Sequence, residues 1–268
     1  MNIKSSSFKE LLKTYIEKIP IISDLYFYLK FPTTGRFYRG RYPTYSEAQN
    51  AIPQKFQHGY DLSTAHPSSI QDRDALRSYD YPLLSPLQDS LQDTSQVLDL
   101  GGGVGIDYYK FRKAVRFPSG LNWLVCDLPS AVEIGQELAH QNNCSHLCFT
   151  SVFRTADGSD ILLTNGALQY IEPSLAELLD QLINKPQHIL INYVPCYEGN
   201  TFFTVQNIWT SRAPYKIQNR NELISDIEHL GYQLVSSWQD PRTCFIPFHP
   251  ACFVNAYHGF HFKFEQTK

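Results

Sequence analysis

The amino-acid sequence predicts an α/β fold in which a mostly parallel sheet follows a helical N-terminal segment. After residue 93, short apolar runs alternate with stretches of helical periodicity, a pattern typical of strands connected by helices. One of these runs, residues 96–100, leads directly into a glycine-rich turn that opens a helix. We therefore divide the 268-residue chain into a helical cap at residues 1–92 and an α/β domain at residues 93–268.

The N-terminal cap is predicted from helical signals in a segment that Pro and Gly interrupt. Ser7 and Glu10 have the spacing of a capping box, and apolar residues then recur at helical intervals up to Ile19. Two shorter helices are expected at residues 46–57 and 69–77. The cap should cover the carboxyl ends of the strands. Its first helix could equally well form a lid over these strand ends or a contact in a homodimer.

The α/β domain should contain seven strands, each a short apolar run bounded by turn-forming residues. In chain order they are residues 96–100, 121–128, 146–151, 160–165, 188–194, 232–238 and 256–264. Helices are expected to begin near Pro129 and at Pro173, because proline suits the first turn of a helix. A further helix, residues 219–230, starts with capping spacing and stops at Gly231.

Composition and charge narrow the class of protein. Hydrophobic residues make up 43% and charged residues 18% of the chain, which is typical of a globular protein. The net charge of -3 argues against a general nucleic-acid binder. The six cysteines include no C-x-x-C pair, which indicates reduced thiols and a cytoplasmic location. No apolar run is long enough to span a bilayer, so we expect no stable membrane insertion.

Three kinds of nucleotide site use a glycine-rich turn, and the spacing of the glycines separates them. A phosphate-binding loop ends in G-K-[ST], but Ile106 and Asp107 follow Gly105 here. A dinucleotide fold needs G-x-G-x-x-G, whereas the pattern from Gly101 is G-x-G-x-G. Asp99 would repel a pyrophosphate and attract the cationic groups of S-adenosylmethionine (SAM). These features favour SAM over the nicotinamide cofactor of an oxidoreductase.

An acidic residue ends the second predicted strand. Asp127 lies 26 positions after Gly101, where an acidic side chain accepts hydrogen bonds from ribose hydroxyls in nucleotide-binding α/β folds. A single acidic residue at the end of a strand more often caps the following helix. Together with the glycine loop, its position favours the ribose role.

These motifs resemble those of a known superfamily. The pattern Asp99-x-Gly101-x-Gly103-x-Gly105, then Asp127, then residues 160–166 look like the motif series of class I SAM-dependent methyltransferases. The resemblance extends from about residue 95 to the C-terminus and implies a Rossmann-like, seven-stranded sheet, mostly parallel with an antiparallel last strand. Further short motifs, such as residues 37–40 and 168–170, resemble a bacterial methyltransferase group of undefined function.

The resemblance implies a role for each matched residue. The implied cofactor-binding residues are Asp99, Gly101, Gly102, Gly103, Gly105, Asp127, Leu128, Ser151, Val152, Asn165 and Gly166. The glycine loop and Asp99 would hold the amino-acid part of SAM, and Asp127 would bind the ribose. Leu128 and the segment after the third strand would contact the adenine. Asn165 and Gly166 would border the sulfonium and the acceptor, and the product would be S-adenosylhomocysteine (SAH).

Acceptor-side chemistry is less well defined by the sequence. Methyl transfer needs alignment of nucleophile, methyl and sulfur, and some acceptors also need a base. The candidate residues near the predicted site are His249, His258, Tyr108, Gln169, Tyr170 and Gln206. Each of them is at least as compatible with packing or a turn. No metal is expected, because only Glu172 and Glu198 supply carboxylates around the fourth and fifth strands.

The functional expectation is a SAM-dependent methyltransferase that acts on O, N or C of a small molecule. The chain contains 17 Tyr, 17 Phe and 3 Trp, which suit an aromatic-lined acceptor pocket or the interface between cap and sheet. Two alternatives stay open. One is a catalytically silent protein with the same fold, and the other is a methyltransferase with a protein or peptide substrate.

Overall fold

The structure, a computed structural model, describes residues 20–57, 59 and 74–265. The helix predicted before Ile19 and most of the one predicted at residues 69–77 lie outside the described residues. In chain order the described strands are β1 Tyr38–Tyr42, β2 Gln96–Leu100, β3 Asn122–Cys126, β4 Leu147–Thr150, β5 Ile161–Asn165, β6 His188–Tyr197, β7 Phe202–Asn207, β8 Arg212–Asn219, β9 Tyr232–Asp240 and β10 Tyr257–Phe264. The described α-helices are α1 Pro20–Lys30, α2 Tyr45–Asn50, α3 Tyr81–Ser90, α4 Ile106–Phe111, α5 Pro129–Gln141, α6 Leu175–Leu179 and α7 Arg220–Glu228.

The central sheet contains the seven strands that the sequence predicts, with boundaries within a few residues. Their spatial order is β4-β3-β2-β5-β6-β10-β9. The pairs from β4 to β6 are all parallel. The last strand, β10, is antiparallel to both of its neighbours, with Phe260 opposite Ile191 of β6 and Ser237 of β9. The predicted antiparallel last strand is therefore present among the described residues.

The two faces of the central sheet bury different residues of the same strands, since successive side chains of a strand point to opposite faces. Leu98 and Leu162 belong to one core cluster. Their chain neighbours Val97 and Leu163 belong to another, which also contains Leu87 of α3. Burial on both faces explains why these strands read as continuous apolar runs.

Three strands outside the central sheet were not predicted. Beyond its pairing with β5, β6 continues and pairs with β8 at Cys196, opposite Gln218. An antiparallel ladder then joins β8 to β7 and β7 to β1. The hairpin between β7 and β8 turns through Trp209 at a positive φ of 72°, without the Asn-Gly or Asp-Gly signal of common two-residue hairpins.

The N-terminal cap is not wholly helical, which corrects the sequence-based expectation. Residues 38–42 form strand β1, because their backbone completes the edge of β7 and Tyr38 enters an aromatic core there. The helix expected at residues 46–57 is a short α2 followed by a 3₁₀ turn, Gln54–Phe56. The boundary at residue 92 stays a prediction. No helix of the described residues is long and apolar enough to cross a membrane.

Candidate functional site

The glycine loop joins the carboxyl end of β2 to α4 and lies beside the loop that follows β5. Gly101 has a φ of 77°, and its N–H donates to the carbonyl of Cys126 at 2.8 Å. A Cβ on Gly101 would lie 2.2 Å from the Cβ of Ala167. Only glycine combines that backbone conformation with so close an approach, so the sequence brings the loops after β2 and β5 together.

Asp127, at the carboxyl end of β3, binds the backbone of the glycine loop. Its Oδ2 accepts a hydrogen bond from the N–H of Gly103 at 2.7 Å, and its Oδ1 accepts one from the N–H of Leu128 at 2.7 Å. Burial raises the pKa of Asp127, and these two N–H donors oppose that shift. The glycine loop and Asp127 thus lie in direct contact.

Two exposed aliphatic side chains flank Asp127. Leu128 is 48% exposed and Val152, after β4, is 57% exposed. The ends of β3 and β4 are adjacent, because the N–H of Asp127 donates to the carbonyl of Thr150 at 3.1 Å. The Thr150 hydroxyl accepts from the N–H of Val152 at 3.1 Å and shapes the turn around the exposed Ser151. The carboxylate therefore lies at a surface bordered by apolar side chains.

Asp99 is fully buried beneath the glycine loop. Its Oδ2 accepts a hydrogen bond from the indole N–H of Trp123 at 3.0 Å, whereas its Oδ1 has no hydrogen-bond partner among the described residues. A Cβ on Gly102 would lie 2.2 Å from Oδ2, so the carboxylate lies directly under the loop. Burial, and then the negative charge of Asp107, raise the pKa of Asp99 well above its usual value.

A buried ion cluster lies at the carboxyl end of β5. The Lys110 ammonium, on α4, lies 2.9 Å from Asp80 and 2.6 Å from Asp107. The Asn165 amide donates to both carboxylates at 3.1 Å. Burial would lower the pKa of Lys110, but Asp107 and Asp80 together raise it above its usual value. Burial raises the pKa of Asp107.

This cluster corrects the expectation that only Glu172 and Glu198 supply carboxylates near the fourth and fifth predicted strands. Asp80 and Asp107 lie there because the N-terminal segment and α4 fold over the strand ends. Asn165 consequently faces this cluster with its amide. No group of acidic, His or Cys side chains suited to a metal ion is found within the part of the chain that the structure describes.

An aromatic pair lies next to the cluster. The rings of Tyr79 and Tyr193 stack with centroids 4.1 Å apart, and the side chain of Asn192 donates to the backbone carbonyl of Tyr79 at 3.0 Å. Tyr193 has a φ of 61°, which is costly for a residue with a side chain and often marks a functional site. A Cβ on Gly166 would lie 3.4 Å from the Tyr193 ring, so the pair borders the loop after β5.

Two buried polar atoms here have no hydrogen-bond partner among the described residues. One is the hydroxyl of Tyr193 itself, and the other is Oε1 of Gln169. The Gln169 Nε2 donates to the carbonyl of Gly166 at 2.7 Å. The Arg242 guanidinium lies 5.2 Å from the centroid of the Tyr193 ring. Burial raises the pKa of Tyr193 although Arg242 lowers it. The phenol is therefore a hydrogen-bond donor at neutral pH.

Three of the predicted acceptor-side residues lie together. The Tyr170 hydroxyl donates to Oε1 of Gln206 at 2.8 Å, and Gln169 precedes Tyr170 in the same 3₁₀ turn. Nε2 of Gln206 donates to the Tyr38 hydroxyl, whose oxygen is 3.1 Å from that of Tyr257. Gln206 is buried in this phenol network, where its amide positions the rings.

The other three candidates lie apart from that group. His249 borders a separate concavity with Arg41 and Tyr197. His258 is buried on β10, and burial lowers its pKa. Tyr108 packs against the stacked rings of Phe117 and Trp123, with ring centroids at 5.8 and 6.0 Å. These surroundings favour the packing roles that the sequence left open.

The site residues that the sequence did not indicate are Tyr79, Asp80, Lys110 and Asn192. Tyr79 and Asp80 lie in the segment before the first predicted strand, which carries no recognisable motif. In the sequence, nothing distinguishes Lys110 from any other lysine in a helix. The one signal available was Asp107, an acidic residue in the first turn of the helix after the glycine loop.

The strand order and the antiparallel β10 decide the fold. It is the Rossmann-like α/β fold that the motif series predicts, with a mostly parallel sheet and an antiparallel last strand. Searches of protein families and of curated proteins find no match to the sequence.

Among solved structures, the chain is similar to a 1,6-didemethyltoxoflavin-N1-methyltransferase from Burkholderia thailandensis (20% identity, 70% of this chain and 79% of that chain, TM-score 0.49). That structure contains bound 1,6-didemethyltoxoflavin and SAH. It is also similar to OxaC in complex with SAH and oxaline (13% identity, 68% of this chain and 46% of that chain, TM-score 0.46).

Proposed function

We propose that the protein transfers a methyl group from SAM to a small-molecule acceptor. The observation that supports this most directly is the Asp99 carboxylate, buried beneath the glycine loop with one oxygen unpartnered among the described residues. Burial makes this carboxyl hold its proton tightly, and a cationic ligand beside it would favour its charged form, whereas the pyrophosphate of a dinucleotide would not. SAM carries an ammonium and a sulfonium.

The residues around the loop fit the remaining parts of SAM. Asp127 presents a carboxylate to a ribose, and it still has acceptor capacity beyond its two backbone donors. Leu128 and Val152 offer apolar contact for an adenine ring on either side of that carboxylate. SAM, when bound, supplies an electrophilic methyl group. The residues of the chain have to align the acceptor with it and exclude water.

The acceptor would lie near Tyr79 and Tyr193, where the stacked rings meet the loop after β5. The Tyr193 hydroxyl would donate to the acceptor, and Oε1 of Gln169 would accept from it, since both atoms lack partners among the described residues. This pairing orients a small polar molecule by one donor and one acceptor. Alignment of this kind supplies much of the rate of an in-line displacement.

A transfer assay that needs no known acceptor tests this proposal. The full chain is incubated with SAM labelled in its methyl group and with a protein-free extract of small metabolites, or with the protein fraction of the same extract. We expect label in products small enough to pass a filter. The variant Gln169→Leu, which removes the unpartnered acceptor, should lower transfer about tenfold or more and leave SAH affinity unchanged.

The other outcomes distinguish the alternatives. Label in the protein fraction alone would replace the small-molecule acceptor by a protein substrate. Binding of SAH without any transfer would indicate the catalytically silent protein. Failure to bind SAH would contradict the cofactor assignment itself.

A further inference from the structure

A cavity lies away from the proposed methyl-transfer site. It has a volume of about 180 Å³ and is lined by residues of β7, β8, α6 and α7. Lys216 lines it, whereas the preceding residue of β8, Tyr215, projects from the opposite face of the strand. Tyr215 bonds to Tyr257, whose ring packs 4.8 Å from that of Tyr193. The sheet formed by β7 and β8 thus separates the cavity from the aromatic pair.

The inner part of the cavity presents hydrogen-bond donors that the protein does not satisfy. The Lys216 side chain is buried, and within the described residues its ammonium makes one hydrogen bond, to the carbonyl of Pro173 at 2.9 Å. Gln218, two residues on and on the same face of β8, is 6% exposed. Its Nε2 has no hydrogen-bond partner among the described residues. Buried donors left in this state are costly, so this inner part is built to receive an acceptor group.

The outer part of the cavity has the opposite character. Four exposed carboxylates line it: Glu172, Glu177, Glu222 and Asp226. Glu177 accepts from the N–H of Ser174, and Glu222 accepts from Thr201. Glu172 and Asp226 make no hydrogen bond within the described residues. Such a rim repels a simple anion and attracts a cationic group.

From this arrangement we propose that the cavity binds a small zwitterion, with its carboxylate on Lys216 and Gln218 and its ammonium at the acidic rim. The donors of the inner part match the two carboxylate oxygens, and the rim matches the opposite charge. A metal ion does not fit, because the inner end of the site is cationic. The proposal is independent of the methyl-transfer site and of its cofactor.

The pKa of Lys216 offers a readout of binding. Burial lowers this pKa to about 8, although Glu177 and Glu172 act in the opposite direction. A carboxylate placed against the ammonium favours its charged form. Binding at pH 8 should therefore be accompanied by uptake of up to about half a proton, because about half of the free protein has a neutral Lys216 at that pH.

Calorimetric titration of the full chain with a matched series of probes tests the proposal. The probes are glycine, 4-aminobutyrate and 6-aminohexanoate, with butyrate and butylamine as partners that lack one charge. We expect at least one zwitterion to bind with a Kd in the millimolar range or tighter, and at least tenfold more tightly than either single-charge partner. Titrations at pH 8 in two buffers of different ionisation enthalpy should show the proton uptake.

Substitutions assign the binding to the cavity. Lys216→Met and Gln218→Leu should each weaken the zwitterion at least tenfold, and Lys216→Met should abolish the proton uptake. The control Lys263→Met, at an exposed lysine, should change neither. Thermal melts and SAH titration of each variant show that it is folded. The proposal is overturned if no zwitterion binds, if butyrate binds as well as 4-aminobutyrate, or if both cavity variants retain full affinity.

Discussion

At the scale of single residues, Asp99 is a buried carboxyl group beneath the glycine loop. It lies beneath Gly102 with one unpartnered oxygen, and its pKa is raised by burial and by Asp107. A raised pKa means that the folded state holds the proton more tightly than the unfolded state. The stability that this group contributes is present below its unfolded pKa of about 3.9 and is lost as the pH rises through the folded pKa.

The first prediction concerns Asp99→Asn. The neutral amide keeps an oxygen for the indole N–H of Trp123 and removes the buried charge. We expect the unliganded variant to melt at a higher temperature than the parent at pH 8, with the difference shrinking toward pH 4. Its affinity for SAM should fall about tenfold, or about 1.4 kcal/mol. If the variant bound SAM as tightly as the parent, Asp99 would have no electrostatic role in binding SAM.

Lys110 is the only cation in its buried cluster within the described residues, and it neutralises Asp80 and Asp107. We predict that Lys110→Met destabilises the protein by about 3–5 kcal/mol, because two buried carboxylates would lose their partner. The control is Lys113→Met, three residues further along the chain. The ion pair of Lys113 with Asp74 is more exposed and should contribute about 0–1 kcal/mol. Denaturant unfolding measures both. Equal effects would show that the cluster does not stabilise the fold.

At the scale of elements, a pair of histidines links β6 to β10. Nδ1 of His188 lies 3.0 Å from Nε2 of His261. Burial lowers the pKa of both, that of His261 to about 4. For a base with a lowered pKa, stability is fully present above the unfolded value of about 6.5. It is lost as the pH falls from there through the folded value.

We therefore predict that the protein loses stability between pH 6.5 and pH 4 and that His261→Gln reduces this loss. The contribution of His261 should be no more than about 3 kcal/mol. The exposed His140 serves as the control, and His140→Gln should leave the slope unchanged. Melting temperatures measured across this pH range check the prediction. A parallel pH dependence in parent and His261→Gln would contradict it.

The central strands could be predicted because burial on both faces makes each of them a distinct apolar run. Residues 96–100 of the sequence match β2 residue for residue. The strands of the β1-β7-β8 sheet escaped prediction for physical reasons. Their residues are aromatic and polar in mixed order, and the turn at Trp209 is stabilised by a contact of its N–H with the Asn207 side chain, a geometry that leaves no glycine signature.

For the whole molecule, the contact between the glycine loop and Asp127 could be predicted from the sequence because both lie in neighbouring parts of the chain. Gly103 and Asp127 are fixed by a strand-turn-helix unit and by the next strand. The acceptor side depends on contacts between residues far apart in the chain, such as Asn165 with Asp80. Neither periodicity nor residue spacing can predict a contact between such distant residues. The positions of Tyr79 and Asp80 in the candidate site are therefore visible only in the structure.

The central claim is that the glycine loop and Asp127 form a SAM site. Calorimetric titration of the full chain with SAH, with NAD as the comparison, tests it most directly. We predict a Kd for SAH in the micromolar range, about -8 kcal/mol, no heat with NAD, and at least tenfold weaker SAH binding by Asp127→Ala. Binding of NAD alone, or SAH affinity that stays within about twofold in Asp127→Ala, would contradict the account.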